Sequence, residues 1–167
     1  MNHGDVPVRP AEGHFSGREA FRQLVRDAFA AAARDGWKEI VLSDATFEEW
    51  PLGERAVVES LQAWSQGGRS LTVLARSYDG IALRHARFAA WRRTWDHIAT
   101  CRRCPSADAL ELPSGIWSPA WVMQRLDPLR SAGWCGPEPE RRVRMRETLD
   151  EWLRKSSAGF PATTLGL

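Results

Sequence analysis

Apolar residues recur at helical spacing in four segments of the chain. Their intervals of three and four residues place them on one face of a helix, which is the pattern of an amphipathic helix packed on a core. Ser16 and Glu19 have capping-box spacing at the start of the first segment, and Gly36 follows its end. The four predicted apolar faces are Phe21, Leu24, Val25, Ala28, Phe29 and Ala32; Val57, Val58, Leu61 and Trp64; Phe88, Trp91, Trp95 and Ile98; and Val143, Met145, Leu149, Trp152 and Leu153.

Two short apolar runs lie between the first three of these helices, at residues 38–43 (KEIVLS) and 71–75 (LTVLA). Alternation of strands and helices predicts an α/β fold with a mostly parallel sheet and helices on both faces. Residues 107–112 and 115–125 are further strand candidates, and the Pro- and Gly-rich segment 127–140 is predicted to be a long loop. We expect a flexible N-terminal arm at residues 1–15 and one domain over residues 16–167.

The composition describes an ordinary domain: 167 residues, 43% hydrophobic and 26% charged, with a net charge of +2. A charge this small excludes a strongly basic nucleic-acid binder. No apolar run approaches the roughly 20 residues of a membrane span, so we expect no membrane association. The N-terminus lacks the apolar region of a signal peptide, and the three cysteines do not form an even-numbered disulfide framework. We therefore expect a cytoplasmic protein.

Polar residues follow both predicted strands, where open α/β sheets place their ligands. Arginines at this edge would bind a small anionic ligand through paired N–H donors. The alternative is that the Asp and Ser side chains only cap the turns after the strands. An enzyme is a further alternative, a hydrolase that would use Asp44, Asp79 and His85. The candidate pocket comprises Ser43, Asp44, Arg76, Ser77, Asp79, Arg84 and His85.

Three thiols and one imidazole are a candidate zinc site. His97, Cys101 and Cys104 are spaced so that one helical face would present all three, and Cys135 would complete a Cys₃His tetrahedron. The alternatives are a redox pair at Cys101 and Cys104, whose pKa values Arg102 and Arg103 would lower, or unremarkable free thiols.

Arginines and tryptophans supply two candidate surfaces. Between residues 84 and 103, six arginines against Asp96 leave a local net charge of +5, which would suit a nucleic-acid surface. We nevertheless favour solvated side chains there, and nucleic acid is the less favoured partner. Trp117, Trp121 and Trp134 lie in a Pro- and Gly-rich stretch, as a satellite core or an interface; we favour an interface.

Four segments carry a resemblance to a known family: IVLSDATF (40–47), LRHARFAAWRRTWDHI (83–98), LPSGIWSPAWVMQRLDPLRSAGW (112–134) and LDEWLRKSSAGFPATTLGL (149–167). The chain resembles an uncharacterised proteobacterial family whose domain is similar to one half of a phospholipase D-like unit. The resemblance implies a phospholipase D-like half-unit fold and a side-by-side homodimer.

Phosphohistidine catalysis of the phospholipase D type is excluded for this chain acting alone. That chemistry requires a His followed two residues later by a Lys. The only lysines are Lys38 and Lys155, and the residues two positions earlier are Gly36 and Leu153. The sequence therefore predicts a non-catalytic ligand- or protein-interaction domain that self-associates. An Arg-rich nucleic-acid binder, with or without zinc, and the strand-end hydrolase are the alternatives.

Overall fold

A computed structural model describes residues 9–160, which form one eight-stranded sheet and five helices. The helices are α1 (Arg18–Asp35), α2 (Arg55–Trp64), α3 (Asp79–Arg84), α4 (Ala86–Thr94) and α5 (Pro139–Lys155). The strands are β1 (Gly13–Phe15), β2 (Glu39–Ser43), β3 (Ser70–Ala75), β4 (Ala99–Arg103), β5 (Gly115–Trp117), β6 (Val122–Asp127), β7 (Ala132–Gly136) and β8 (Ser157–Ala158). None of the described helices is long and apolar enough to cross a membrane.

The sheet is mixed and mostly antiparallel, so the prediction of a mostly parallel, phospholipase D-like sheet is wrong. Its strand order is β1-β7-β6-β5-β2-β3-β4-β8. Only the β2–β3 and β3–β4 pairs are parallel, and the other five pairs are antiparallel. The pattern of strand, helix and strand correctly indicated the parallel part. The later strands β5, β6 and β7 are joined by short turns, and such turns connect antiparallel neighbours.

Side chains of the sheet alternate between two cores. Ile40, Leu42, Val73, Ile116 and Met123 face the layer formed by α1, α2, α3 and α4, where most of the buried apolar residues lie. Val41, Trp117, Val122 and Trp134 face the other way and pack against Met145 and Leu149 of α5. Helices therefore cover both faces, four on one side and one on the other.

Four strands, β1, β4, β7 and β8, were not predicted from the sequence patterns. β4 (ATCRR) carries two arginines and closely follows α4. The predicted helix was therefore extended from Phe88, Trp91 and Trp95 as far as Ile98, which lies outside α4. β7 lies within the segment expected to be a loop, because its two glycines resemble turn residues. Residues 107–112 were a strand candidate but form turns.

The N-terminal boundary differs from the expected one. Gly13–Phe15 form β1, which pairs with β7 at the edge of the sheet, so this part of the expected arm belongs to the domain. Residues 1–8 of the arm lie outside the described residues. α1 matches its predicted apolar face and ends at Gly36 in the left-handed conformation, but Gly17 occupies the N-cap without a side-chain hydrogen bond.

Candidate anion-binding cavity and basic surface

Asp44, at the end of β2, forms a buried ion pair with Arg125 of β6. The Arg125 Nη2 lies 3.0 Å from Asp44 Oδ1, and both side chains are at most 7% exposed. Arg125 also donates to the hydroxyl oxygens of Ser114 and Ser131, and its guanidinium stacks 4.4 Å from the centre of the Phe21 ring. The pair joins the parallel part of the sheet to its antiparallel part.

The second carboxylate oxygen of Asp44 holds the turn that follows β2. Asp44 Oδ2 accepts the backbone N–H groups of Thr46 at 3.2 Å and Phe47 at 2.8 Å. Phe47 has a φ of +59°, a left-handed conformation that an aromatic residue rarely adopts and that these bonds help to hold. Both oxygens of Asp44 are thus committed to structure. Asp44 therefore offers no free carboxylate to the hydrolase in which Asp44, Asp79 and His85 act together.

The other residues of the predicted strand-end pocket do not lie together in one site. Ser43 is buried and donates to the carbonyl of Pro113, while Ser77 Oγ accepts the backbone N–H of Asp79. Arg76 and Asp79 are exposed. Ser77 and Asp44 thus hold the turns that follow them, as the structural alternative expected, whereas Ser43 bonds to the segment before β5. Only Arg84 and His85 of the predicted set line a common cavity.

That cavity lies between the start of α1, the loop before α2 and the junction of α3 and α4. Its volume is about 230 Å³. It is lined by Arg18, Arg22, Glu48, Trp50, Pro51, Gly53, Glu54, Arg84 and His85. We call it the His85 cavity.

His85 is held in one orientation at the wall of this cavity. Its Nε2 lies 2.8 Å from the carbonyl of Phe47, which can only accept, so Nε2 carries the proton and Nδ1 of the neutral ring is bare. Burial is the largest cause that lowers the pKa of His85, and the charges of Arg22 and Arg84 lower it further, while the backbone carbonyls of Phe47 and Arg84 oppose the shift. Nδ1 of His85 and Nε1 of Trp50 are buried and have no hydrogen-bond partner among the described residues.

The charges of the cavity are only partly neutralised. Glu54 pairs with Arg22 at 3.0 Å and with Arg26 at 2.7 Å. The hydrogen bond from Arg26 is the largest cause that lowers the pKa of Glu54 to about 2, so this carboxylate is ionised and already committed. Arg18 and Arg84 form no ion pair within residues 9–160, and Glu48 is the other acidic residue of the lining.

The basic surface continues from the His85 cavity onto α2 and α4. Arg87 donates to the carbonyl of Gly53, a residue of the cavity lining, at 2.9 Å. Arg87 and Arg55 then line the neighbouring groove between α2 and α4, which also contains Glu59. We call the exposed side chains of Arg18, Arg55, Arg84 and Arg87 the basic surface. None of the four pairs with a carboxylate of the described chain.

The structure does not assemble the predicted zinc ligands. Cys101 and Cys104 lie on a strand and its extension rather than on a helix, and they pack in the cores on opposite faces of the sheet. Cys135 is on β7, separated from β4 by four other strands. The described part of the chain contains no group of three His, Cys, Asp or Glu side chains placed to hold a metal ion. Burial raises the pKa values of Cys101 and Cys104, opposite to the effect expected of Arg102 and Arg103.

The three tryptophans proposed as an interface are buried inside the domain. Trp121 stacks on Trp37 and donates to the carbonyl of Ala11, and Trp117 donates to the carbonyl of Arg142. Trp134 is 7% exposed, under the guanidinium of Arg141. They belong to the cores on the two sides of the sheet. They therefore do not form the exposed surface through which two copies of the chain were expected to associate.

Several residues of the cavity had no sequence signal of their own. Arg18 and Arg22 are two of 21 arginines, and nothing in the spacing places α1 beside the junction of α3 and α4. Trp50 precedes Pro51 in a loop, a position that predicts a turn. Arg125, the partner of Asp44, is 81 residues away along the chain. Only the fold brings these residues together.

Comparison with known proteins finds likeness in structure alone. No protein-family model matches the chain, and no curated protein matches it in sequence. The fold is similar to that of TrmBL2, an archaeal chromatin protein whose structure shows a novel mode of DNA binding, with a TM-score of 0.65 and 13% identity. The likeness covers 94% of this chain and 56% of the TrmBL2 chain, so this chain spans about half the length of that protein.

Replacing Arg125 with alanine is expected to destabilise the domain by about 3–5 kcal/mol. The substitution leaves the buried carboxylate of Asp44 without its cation, and such orphaned charges carry penalties of that size. Urea unfolding measures the effect. The control is Arg130→Ala, which breaks the exposed pair with Asp127 and should change stability far less, because solvent screens such a pair. Equal losses in the two variants would contradict the structural role of the buried pair.

Lowering the pH from 7.5 to 5.5 is expected to destabilise the protein through His85. Because the folded-state pKa is depressed, the stability from a neutral His85 is complete above the unfolded pKa of about 6.5 and is lost as the pH falls through the folded pKa. His85→Gln keeps a donor for the Phe47 carbonyl and does not titrate. Thermal unfolding at both pH values should show a smaller pH effect in His85→Gln than in the exposed control His14→Gln. Equal pH effects would show that His85 does not carry the dependence.

Proposed function

We propose that the chain is a non-catalytic nucleic-acid-binding domain that contacts the phosphate backbone through the basic surface. The observation that carries the proposal is the set of four exposed arginines, from α1, α2, α3 and α4, that have no carboxylate partner in the described chain. Guanidinium groups bind phosphates through paired N–H donors, and phosphate contacts supply most of the affinity of nucleic-acid binders.

The local arrangement of charged side chains supports this surface as a binding site, although the small net charge of the whole chain does not. A net charge of +2 predicts no general attraction to nucleic acid, but two acids close to this surface, Glu19 and Glu54, are engaged with Arg22 and Arg26. Four exposed, unpaired arginines therefore lie together at one place on the helical layer, although other unpaired arginines, such as Arg76, Arg144 and Arg154, lie elsewhere. Residues 84–103, whose local net charge is +5, contribute only in part to the basic surface, because Arg92 is buried and Arg102 donates to Ser156.

The fold supports the same proposal. TrmBL2, which has a similar fold, is a DNA-binding chromatin protein. Trp91 does not provide a stacking platform, since it is buried and donates to Ser65, and Trp95 is half-buried and donates to Gln62. We therefore infer recognition of the backbone by charge, with little dependence on base sequence.

A double variant tests the proposal against a matched control. Arg84→Ala/Arg87→Ala removes two cations from the basic surface, and Arg144→Ala/Arg154→Ala removes two exposed cations from α5 on the opposite layer. Both doubles have the same net charge. Fluorescence anisotropy of a labelled 20-base-pair duplex and a 20-nucleotide single strand, from 50 to 200 mM salt, measures the affinity.

The first double variant is expected to bind more weakly and to lower the slope of log K against log salt by about two, roughly one for each lost phosphate contact. The control double should keep the wild-type slope. Thermal unfolding of both variants verifies that the contact from Arg87 to Gly53 is not needed for folding. No binding by the wild type at 50 mM salt, or equal weakening in the two doubles, would overturn the proposal.

A further inference from the structure

The His85 cavity contains two buried ring nitrogens that the protein itself does not use. Trp50 Nε1 and His85 Nδ1 are buried without a partner among the described residues, although a buried polar atom left unpaired costs about 1–3 kcal/mol. Trp50 and His85 are 0% and 5% exposed, and both line the same cavity. A ligand that accepts from Trp50 Nε1, and from His85 Nδ1 once that nitrogen is protonated, would remove this penalty.

The charges around these nitrogens indicate an anion. Arg18 and Arg84 are unpaired cations of the lining, and Arg22 adds a third guanidinium that shares Glu54 with Arg26. Arg18 is also the first residue of α1, so the positive end of that helix dipole lies at the same wall. Glu48 and Glu54 are the acids that face the cavity, and Glu54 is held by two arginines.

The size of the cavity limits the anion. A volume of about 230 Å³ lies below the ~300–1,000 Å³ of pockets that enclose drug-sized ligands. Gly53 keeps space free beside the imidazole, since a Cβ at this position would lie 3.2 Å from His85 Nδ1 and 2.8 Å from the carbonyl of Arg84. The cavity is therefore too small for a drug-sized ligand and has room for a tetrahedral oxyanion.

We propose that the His85 cavity binds one terminal phosphoryl group, a phosphate monoester or free phosphate, and takes up one proton at His85 Nδ1 when it does so. Trp50 Nε1 and the protonated Nδ1 donate to the phosphate oxygens, and Arg18 and Arg84 neutralise its charge. The proton comes from solvent. His85 Nε2 keeps its bond to the Phe47 carbonyl throughout. The site depends on the proposed nucleic-acid function only if the phosphoryl group is the end of a nucleic acid.

Sulfate is the probe for the site, because it is a tetrahedral dianion whose charge is constant across the pH range used. Thermal unfolding is measured in sodium sulfate and in sodium chloride at equal ionic strength, at pH 6.0 and pH 8.0. The wild type should show a saturable stabilisation by sulfate that is larger at pH 6.0. General exclusion of sulfate from protein surfaces also stabilises, but it does not saturate and does not depend on His85.

Three variants separate the site from such general effects. Arg18→Ala/Arg84→Ala should lose the saturable stabilisation, and His85→Gln should lose its pH dependence. Arg144→Ala/Arg154→Ala, with the same net charge as the first double, should behave as wild type. Calorimetric titration with sulfate at pH 6.5, in two buffers of different ionisation enthalpy, should show the uptake of up to one proton by the wild type and none by His85→Gln. A sulfate effect that is unsaturable, or equal in all variants, overturns the site.

Oligonucleotides identify the source of the phosphoryl group. If the site binds the end of a nucleic acid, a 5′-phosphorylated single strand should bind more tightly than its 5′-hydroxyl form, and Arg18→Ala should abolish the difference. Equal binding of the two strands, together with saturable binding of sulfate, assigns the site to small phosphate compounds. Saturable sulfate binding in a protein that binds no oligonucleotide would reject the proposed function and retain the cavity.

Discussion

The buried pair between Arg125 and Asp44 is the interaction on which the rest of the structure depends. It fastens β6, in the antiparallel part of the sheet, to the carboxyl end of β2 in the parallel part. The same carboxylate accepts the N–H groups of the turn that contains Phe47, and the carbonyl of Phe47 accepts from His85. One continuous chain of bonds thus runs from the centre of the sheet to the wall of the His85 cavity.

Eight of the arginines fall into two groups by their partners. Carboxylates of the domain pair with Arg22, Arg26, Arg125 and Arg146. The cavity and the α2–α4 groove are lined by Arg18, Arg55, Arg84 and Arg87, which have no such partners within the described chain. A domain with a net charge near zero therefore carries a local cluster of cations, because the neighbouring acid Glu54 is paired with two other arginines.

The sequence predicted the elements whose pattern is local. The spacing of Phe21, Leu24 and Val25 identified α1, and the apolar runs identified β2 and β3, since these strands are buried on both faces. β4 and β7 were missed because their arginines and glycines resemble helix ends and turns, and only pairing with neighbours makes them strands. Because these strands were not recognised, the sheet was predicted to be mostly parallel. For the same reason Cys101 and Cys104 were assigned to one face of a helix.

The candidate site was predicted only in part for the same reason. Arg84 and His85 follow β3 closely enough for their position near a sheet edge to be inferred from the order of the elements. Arg18, Trp50 and Arg125 come from distant parts of the chain, and a pattern of neighbours in sequence carries no information about such contacts. The tryptophans show the converse: a Pro- and Gly-rich setting suggested an exposed patch, but Trp117, Trp121 and Trp134 are buried by strand pairing and by α5.

We propose that phosphate is recognised on the layer of α1, α2, α3 and α4. The most direct test is a nuclear magnetic resonance titration that follows the side-chain N–H signals of the arginines and tryptophans as a 5′-phosphorylated single strand is added. We expect shifts in the signals of Arg18, Arg55, Arg84, Arg87 and Trp50, while those of Arg144 and Arg154 on α5 remain in place. Shifts confined to α5, or no shifts at low salt, would contradict it.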